Sequence, residues 1–463
     1  MVSINDFEKY NKFMRLLFLS VALGGFTDLY DTAIVGGASL TLIKSLNLTS
    51  AEFGLFGAST FIGGAIGAFS FGLISDKIGR KRTFVITLLI FIVSELLISA
   101  VTNFAELLVL RLLVGFGIGA DYPPALTMLS EYSSKAERGK YLIKFLIVFS
   151  LGGMLSYFVA TALLPFGLLQ WRLLFLTGAI PPIIALILRR KLPESPRWYA
   201  TKGMTDKAKS AMGEMGLVPD ISQFTKREQE IVDSKLFRIF LPLLISIFFV
   251  NMLLNLPLSG LVALNPILLS ALKIPANLDL IFSGLAFLGS QSLGALLAYP
   301  LYDKVGRINM LLIGSAITGG SLITMSFLAS PSYASYLIVL LAIAGVFASF
   351  YLPVIYSLST EIFPTKIRGT SQGMGILAIR IAGIIGIFGG SLITAAYGTH
   401  GLLLVYGIIN FIAFLIALFT LHGKIRVEGR ELEDISDEIV DKGEYKENVE
   451  EESLRNDDKK RGN

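Results

Sequence analysis

Long apolar stretches recur along almost the whole chain, and each is long enough to cross a lipid bilayer as a helix. A membrane-spanning helix needs about 20 mostly apolar residues. Stretches of this kind lie near 15–40, 53–75, 83–101, 106–131, 141–165, 173–189, 236–271, 278–301, 309–329, 333–360, 370–397 and 401–421. The pattern predicts an all-α integral membrane protein with twelve transmembrane helices.

The composition agrees with a lipid environment and excludes several kinds of site. Hydrophobic residues make up 53% of the chain and charged residues 16%, whereas soluble domains carry about 25% charge. There is no cysteine, which excludes disulfides and thiolate chemistry. The two histidines, His400 and His422, are too far apart in sequence for a credible metal site. We therefore expect no metal and no cofactor.

Basic residues concentrate in alternate connections between the predicted spans. Lys and Arg accumulate on the cytoplasmic side of membrane proteins, so their placement has a membrane explanation and is no nucleic-acid footprint. These connections carry Lys9, Lys12, Arg15, Lys77, Arg80, Lys81, Arg82, Lys135, Arg138, Lys140, Arg189, Arg190, Lys191, Lys304, Arg307, Lys366, Arg368, Lys424 and Arg426. We expect a monomeric, multi-pass protein of the plasma membrane with cytoplasmic N- and C-termini.

An internal repeat divides the chain into two parallel halves. Residues 75–80 (SDKIGR) recur as residues 302–307 (YDKVGR), and a Glu-Arg-Gly pattern beginning at Glu131 recurs from Glu361. Two six-helix bundles facing each other across a central cavity give the geometry of alternating access.

The repeat also sets the expected domain boundaries. The N-terminal bundle covers 1–190 and the C-terminal bundle covers 236–423. Residues 191–235 form a cytoplasmic linker with short helices near 206–215 and 225–232. Residues 424–463 form a charged cytoplasmic tail that is too polar to build a core and is expected to be disordered.

Several motifs resemble the major facilitator superfamily. Residues 76–82 (DKIGRKR) resemble its signature loop between the second and third spans, and residues 111–119 (RLLVGFGIG) resemble its fourth-span motif. Residues 193–198 (PESPRW) and 361–364 (EIFP) resemble the sugar-porter branch and its relatives that carry organic acids or phosphate with protons. The resemblance covers nearly the whole chain except the tail and implies a secondary transporter rather than an enzyme.

Within that group the resemblance leans away from sugar. Residues 28–31 (DLYD) and 119–123 (GADYP) are similar to elements of phosphate and metabolite proton symporters. Arg380 resembles a basic position of anion-carrying members. Tyr356 stands where sugar porters have a tryptophan, and Asn255 stands where phosphate symporters have an acid, so the solute stays open.

Three aspartates deep in the predicted spans are proton-coupling candidates. Ionisable groups at this depth cost about 2.5–3.5 kcal/mol on insertion scales, so they tend to face a hydrated cavity. Asp28 and Asp31 share one face of their helix, and nearby carboxylates in a low dielectric rarely ionise together. The alternative is that one of them only anchors a neighbouring helix. Asp121, beside Pro123 and Pro124, is the third candidate.

Arg380 and several polar residues are the candidate solute contacts. The guanidinium keeps its charge, and the residues alone leave two roles open. Arg380 pairs with a buried acid such as Asp31 or Asp121, or it receives an anionic solute through forked hydrogen bonds. The prolines and asparagines of 251–266 predict a broken helix lining the cavity. The remaining predicted contacts are Tyr122, Asn255, Gln291, Tyr351 and Tyr356.

Charged residues of the repeated loop motifs are assigned to gating. Ion pairs among them would lock the cytoplasmic ends of the two halves together and break when the cavity opens inward. The candidates are Asp76, Arg80, Glu131, Arg138, Asp303, Arg307, Glu361 and Arg368.

Together these features predict proton-coupled symport of a small hydrophilic metabolite, an organic anion or a phosphate-like solute, by alternating access. The alternative is a sugar porter, either proton-linked or passive. A non-transporting membrane sensor would need a folded signalling domain, which neither the linker nor the tail offers. No sequence motif for nucleophilic, metal or phosphoryl chemistry supports an enzyme.

Overall fold

The computed structural model describes residues 4–132, 135–217, 234–271, 274–363 and 365–423, and every regular element in these ranges is helical. The first part contains α1 (Ile4–Leu46), α2 (Ser50–Ile78), α3 (Arg80–Ile98), α4 (Phe104–Tyr132), α5 (Lys135–Ala162), α6 (Gln170–Gly178), α7 (Ile180–Arg190), α8 (Pro196–Thr201) and α9 (Thr205–Glu214). The second part contains α10 (Ser234–Ser270), α11 (Ala276–Phe282), α12 (Ser290–Ala298), α13 (Tyr302–Val305), α14 (Arg307–Phe327), α15 (Ala334–Glu361), α16 (Thr365–Ile384) and α17 (Gly390–Thr420).

Short irregular helices join some of these elements. Turns of 3₁₀ helix cover Leu164–Leu169 and Pro331–Tyr333. Two π-helical segments, Ser283–Gly289 and Ile385–Gly389, connect α11 to α12 and α16 to α17. We call α1–α7 the first half and α10–α17 the second half.

Nine stretches within the described ranges are long and apolar enough to cross a membrane. The longest, Thr370–Thr420, has 51 residues and turns at Gly398, where φ is 66°, so the last two predicted spans fall within it. The predicted spans 83–101 and 106–131 are helical as α3 and α4. The prediction of an all-helical membrane protein is confirmed, while the count of twelve spans stays a prediction.

The structure contradicts the broken helix predicted for residues 251–266, which lie in α10. It runs through Pro242, Pro257 and Pro266 as one helix of 37 residues. A proline removes one helical hydrogen bond and frees the carbonyl four residues earlier. Pro266 frees the carbonyl of Val262 in this way, and the Tyr157 hydroxyl of α5 donates a hydrogen bond to it. The helix stays continuous because a neighbouring helix satisfies the freed group.

Helices α2 and α4 pack closely through glycine. A methyl group at Gly115 would overlap the carbonyl of Thr60, and one at Gly119 would overlap the carbonyl of Gly64. Small residues let membrane helices approach to backbone contact. Gly115 and Gly119 therefore serve the packing of α4 against α2.

The two halves repeat one backbone turn at the same end of the bundle. Gly79, between α2 and α3, has φ 98° and ψ 154°, and Gly306, between α13 and α14, has φ 90° and ψ 145°. Such positive φ values are open to glycine without the strain that a side chain would add. We call this end of the bundle the Gly79 face, and we call the opposite end, where α1 meets α2, the Asn47 face.

The halves touch each other near the Asn47 face. The contacts join α1 to α10, α2 to α16 and α17, and α5 to the Ser283–Gly289 segment. A methyl group at Gly36 would lie 3.1 Å from the carbonyl oxygen of Val262. Gly54 of α2 faces Ser391 of α17 at a similarly short range. The two bundles are therefore closely packed against each other at this end.

Candidate functional site

An acid and a base from opposite halves face each other at mid-depth. Asp28 lies on α1 and Arg380 on α16, with 4.0 Å between Oδ2 and Nη2. Their side chains are 13% and 5% exposed, respectively. At this range the charges balance each other without a short hydrogen bond. The pair is therefore a salt bridge across the boundary between the halves.

The backbone of α2 shapes the surroundings of Arg380. A methyl group at Gly64 would lie 3.2 Å from its Nε atom, so glycine leaves room for the guanidinium. The ring of Phe61 lies 5.9 Å from the guanidinium carbon, within range of a cation–π contact. Helix α2 thus seats a cation that the opposite half supplies.

Asp31 has a different partner, although it lies only one turn from Asp28. Arg111 of α4 donates to both of its carboxylate oxygens, at 2.5 and 3.1 Å. Glu95 of α3 lies 3.5 Å from the same guanidinium. All three side chains are at most 1% exposed. Two carboxyl groups share one cation here, so the cluster is neutral only when one of them carries a proton.

Aromatic rings enclose this cluster from two sides. The guanidinium carbon of Arg111 lies 5.2 Å from the ring centroid of Phe56 and 5.6 Å from that of Phe175. The Oε2 atom of Glu95 has no hydrogen-bond partner. A low-dielectric enclosure makes an uncompensated charge costly, which favours one shared proton.

Asp121 forms a third buried pair, again inside the first half. Arg189, at the end of α7, contacts both of its carboxylate oxygens, one of them at 2.8 Å. The same guanidinium donates to the carbonyl of Ser20 at 3.1 Å and lies 4.7 Å from the ring of Phe84. Arg189 is therefore a buried partner of Asp121 and ties α1, α3, α4 and α7 together.

Several amide side chains of the second half are buried. Asn255 donates to the carbonyl of Asn251 at 2.9 Å, while neither amide atom of Asn251 has a partner. The Nε2 atom of Gln291 also has none, although Gln291 is 2% exposed. Buried polar groups are normally hydrogen-bonded. Buried amides without a partner suit the recognition of a polar solute.

The family assignment follows from comparison with known proteins. The family model of the sugar (and other) transporters matches residues 17–438, which is most of the 463 residues.

The chain belongs to the sugar (and other) transporter family.

This transporter resembles relatives with different solutes. It is 28% identical over 448 residues to the glucose transporter GlcP of Staphylococcus epidermidis, covering 93% of this chain and 98% of GlcP. It is 35% identical over 198 residues to the niacin transporter NiaP of Acinetobacter baylyi, covering 42% of this chain and 44% of NiaP.

A solved structure supports the fold. The xylose transporter XylE from E. coli, in a partially occluded inward-open conformation, matches with a TM-score of 0.75 and 22% identity, over 90% of this chain and 99% of that chain. XylE is a member of the major facilitator superfamily. The predicted family of sugar porters and their relatives is confirmed by the family model. The protein is a multi-pass membrane transporter of the cell membrane rather than an enzyme.

The predicted solute contacts of this transporter have different surroundings in the structure. Tyr356 lies within electrostatic range of both Asp28 and Arg380. Tyr351 is 1% exposed, and the Ser349 hydroxyl donates to the main-chain carbonyl of Gln291 at 2.6 Å. The side chain of Tyr122 lies outside the described residues.

Most of the predicted gating side chains cannot be placed. The side chains of Asp76, Glu131, Arg138, Asp303, Glu361 and Arg368 lie outside the described residues. The main-chain N–H of Arg80 donates to Oε1 of Glu194 at 3.0 Å. Arg307 lies over the ring of Tyr302 at 5.4 Å. The gating assignments stay predictions.

Four functional candidates escaped the sequence analysis. Arg111, Glu95 and Arg189 received no site role, and Arg189 was counted only as a basic residue of a connection. Asp279, which is fully buried, looked like an ordinary acid in the first turn of a helix. The signal available for Glu95 and Arg111 was their position within apolar helices; their meeting with Asp31 depends on the packing of α1, α3 and α4.

Proposed function

We propose that this transporter is a proton-coupled symporter of a small organic anion. The observation that carries the proposal is the pairing of Asp28 with Arg380 across the two halves, 4.0 Å apart. An ion pair at mid-depth, contributed by both halves, suits a solute site that both halves close around.

Charge balance gives a coupling mechanism for this pair. When Asp28 is ionised, it neutralises Arg380 and competes with an anionic solute. A proton on Asp28 removes the negative charge that faces the permanent charge of Arg380. A solute carboxylate then takes the place of the Asp28 carboxylate through forked hydrogen bonds. Proton and anion therefore bind together, and the loaded site is as neutral as the empty one.

The other acids extend this mechanism as a relay. Asp31 lies one helical turn from Asp28, and its cluster with Arg111 and Glu95 is neutral when it holds one proton. Arg189 pairs with Asp121 in the part of α4 that lies towards the Gly79 face. We assign Asp28 to direct coupling and Asp31 and Asp121 to passing the proton along the first half.

Solute polar groups would meet the second half of the transporter. We assign Asn255, Gln291, Tyr351 and Tyr356, together with Tyr122 of α4, to solute recognition. The unpaired amide atoms of Gln291 and Asn251 support this assignment because a buried amide gains most from a partner it otherwise lacks.

Alternating access completes the proposal. The proposed transporter has twelve spans in two six-helix halves. Both termini, the linker and the Gly79 face lie in the cytoplasm, in line with the clustering of Lys and Arg. Separation of the gating residues at the Gly79 face would open the cavity inward. Parting of the helices around Gly36 and Gly54 would open the Asn47 face.

A sugar porter is the second candidate. It is favoured by the buried amides, which suit hydroxyl groups, and by a relative named as a glucose transporter. Uptake of organic acids, phosphate and sugars by proteoliposomes, with and without an inward proton gradient, separates the two. If anion uptake changes neither with the proton gradient nor with Asp28→Asn, proton coupling through this pair is rejected. Sugar uptake unaffected by Arg380→Ala would favour the alternative.

A further inference from the structure

A carboxyl group far from the central ion pair is buried where the two halves meet. Asp279 lies in the first turn of α11, at the Asn47 face, and is fully buried. The Ser283 hydroxyl donates a long hydrogen bond of 3.4 Å to its Oδ1 atom. Its Oδ2 atom has no partner. Such a site poorly supports an ionised carboxylate, which normally needs a cation or several donors.

The surroundings of Asp279 come from both halves. Helix α11 packs against α5 of the first half, α10 and the Ser283–Gly289 segment. Tyr157 of α5 is the titratable group that faces Asp279, and its hydroxyl is committed to the Val262 carbonyl. Within the described residues, α10 and the π-helical segment present no charged side chain there, and Lys273 lies outside the described part of the chain.

We infer that Asp279 is a second proton-binding residue, separate from the Asp28–Arg380 pair, which holds the Asn47 face closed in its protonated form. Parting of α5 from α11 admits water to the carboxyl group and stabilises its ionised form. The proton therefore binds more tightly to the closed state than to the open state. By linkage, acidic conditions close this face and alkaline conditions open it. The inference relies on the alternating access in the proposed function but not on the solute or on Asp28.

The absence of cysteine from the chain allows a direct test by labelling. Ser391, which packs against Gly54 at the contact between the halves, is replaced in one variant by Ser391→Cys. Ser50, exposed at the same face, is replaced in a reference variant by Ser50→Cys. A membrane-impermeant maleimide is added to liposomes free of solute and proton gradient, under mildly acidic and mildly alkaline conditions. The ratio of the two labelling rates removes the intrinsic effect of pH on thiol reactivity.

We expect the ratio to rise severalfold from acidic to alkaline conditions, with a limit of about tenfold per pH unit for one proton. Asp279→Asn, which mimics the protonated form, should hold the ratio at its low acidic value throughout. Asp206→Asn, at an exposed acid of α9, is the matched control and should behave like the parent.

Two outcomes would overturn the inference. One is a ratio that does not change with pH in the parent. The other is a pH dependence that survives in Asp279→Asn. If Asp279 only stabilises the start of its helix, Asp279→Asn would lower the melting temperature and leave the pH dependence of the labelling ratio intact. Because the labelling ratio is measured without solute or a proton gradient, whereas symport is measured as gradient-driven uptake, failure of this inference is distinguishable from failure of the proposed symport.

Discussion

Arg111 grips Asp31 through both terminal nitrogens, while Asp28, three residues earlier on the same helix, faces Arg380 of the opposite half. Two neighbouring acids on one helix face therefore have different partners. One is tied within its own bundle, and the other spans the boundary that must move during transport. This division of roles leads to separate predictions for each pair.

Removing Arg380 should weaken anion recognition. A hydrogen bond to a charged group contributes about 1.5–3 kcal/mol, so Arg380→Ala should weaken anion binding by about 10- to 100-fold. Arg380→Lys should retain part of the binding, because it keeps the charge but loses the fork. Binding is measured by the concentration dependence of counterflow. Arg238→Ala, at an exposed arginine of α10, is the control, and equal anion affinity in Arg380→Ala and this control would contradict the assignment.

Asp28 should set the pH dependence of anion binding. Protonation of its carboxyl group removes the negative charge that faces Arg380. The affinity for anions should therefore rise as pH falls, by at most about tenfold per pH unit for one proton. Asp28→Asn should bind anions with little pH dependence and should lose accumulation driven by a proton gradient while keeping exchange. Asp206→Asn serves as the control. Gradient-driven accumulation in Asp28→Asn at the parent level would refute the role.

The Asp31 cluster should tolerate loss of one acid better than loss of its cation. Removal of one partner from a buried ion pair costs about 3–5 kcal/mol. In Asp31→Asn, however, Glu95 lies 3.5 Å from Arg111 and can take over the pairing. Arg111→Met should therefore lower the melting temperature in detergent more than Asp31→Asn does. Adding Glu95→Gln to Asp31→Asn should remove the difference, and no further loss in that double variant would show that Glu95 is not a substitute partner.

Glycine packing between α2 and α4 should be sensitive to a single methyl group. Gly119→Ala places a carbon against the carbonyl of Gly64, and overpacking of this kind costs about 1–3 kcal/mol. Gly320→Ala is the matched control because nothing lies within 4 Å of the added carbon; it should be neutral or stabilising. Melting temperatures compare the two variants. Equal values would mean that α2 and α4 are less closely packed.

The placement of Arg380 illustrates the limit of sequence reasoning about the site. Its depth within an apolar stretch predicted a functional cation, and two roles were left open. Asp31 and Asp121 were the suggested acidic partners, but each has its own arginine in the first half. Asp28 is the acid that faces Arg380, because the packing of α1, α2 and α16 brings it there. Pairing between distant helices depends on which face of each helix meets its neighbour.

The sequence by itself determined the class of protein: apolar stretches of membrane-crossing length, a repeated loop motif and charged residues at mid-depth allow few alternatives to a two-part helical transporter. Hydrophobicity and spacing are local properties, so they can be read along the chain. The tertiary structure alone decided which charges neutralise each other and kept α10 continuous, because the Tyr157 hydroxyl satisfies the carbonyl freed by Pro266. It also buried Asp279 between the halves. These outcomes arise from contacts between residues that are far apart in sequence, where small differences in helix rotation choose the partner.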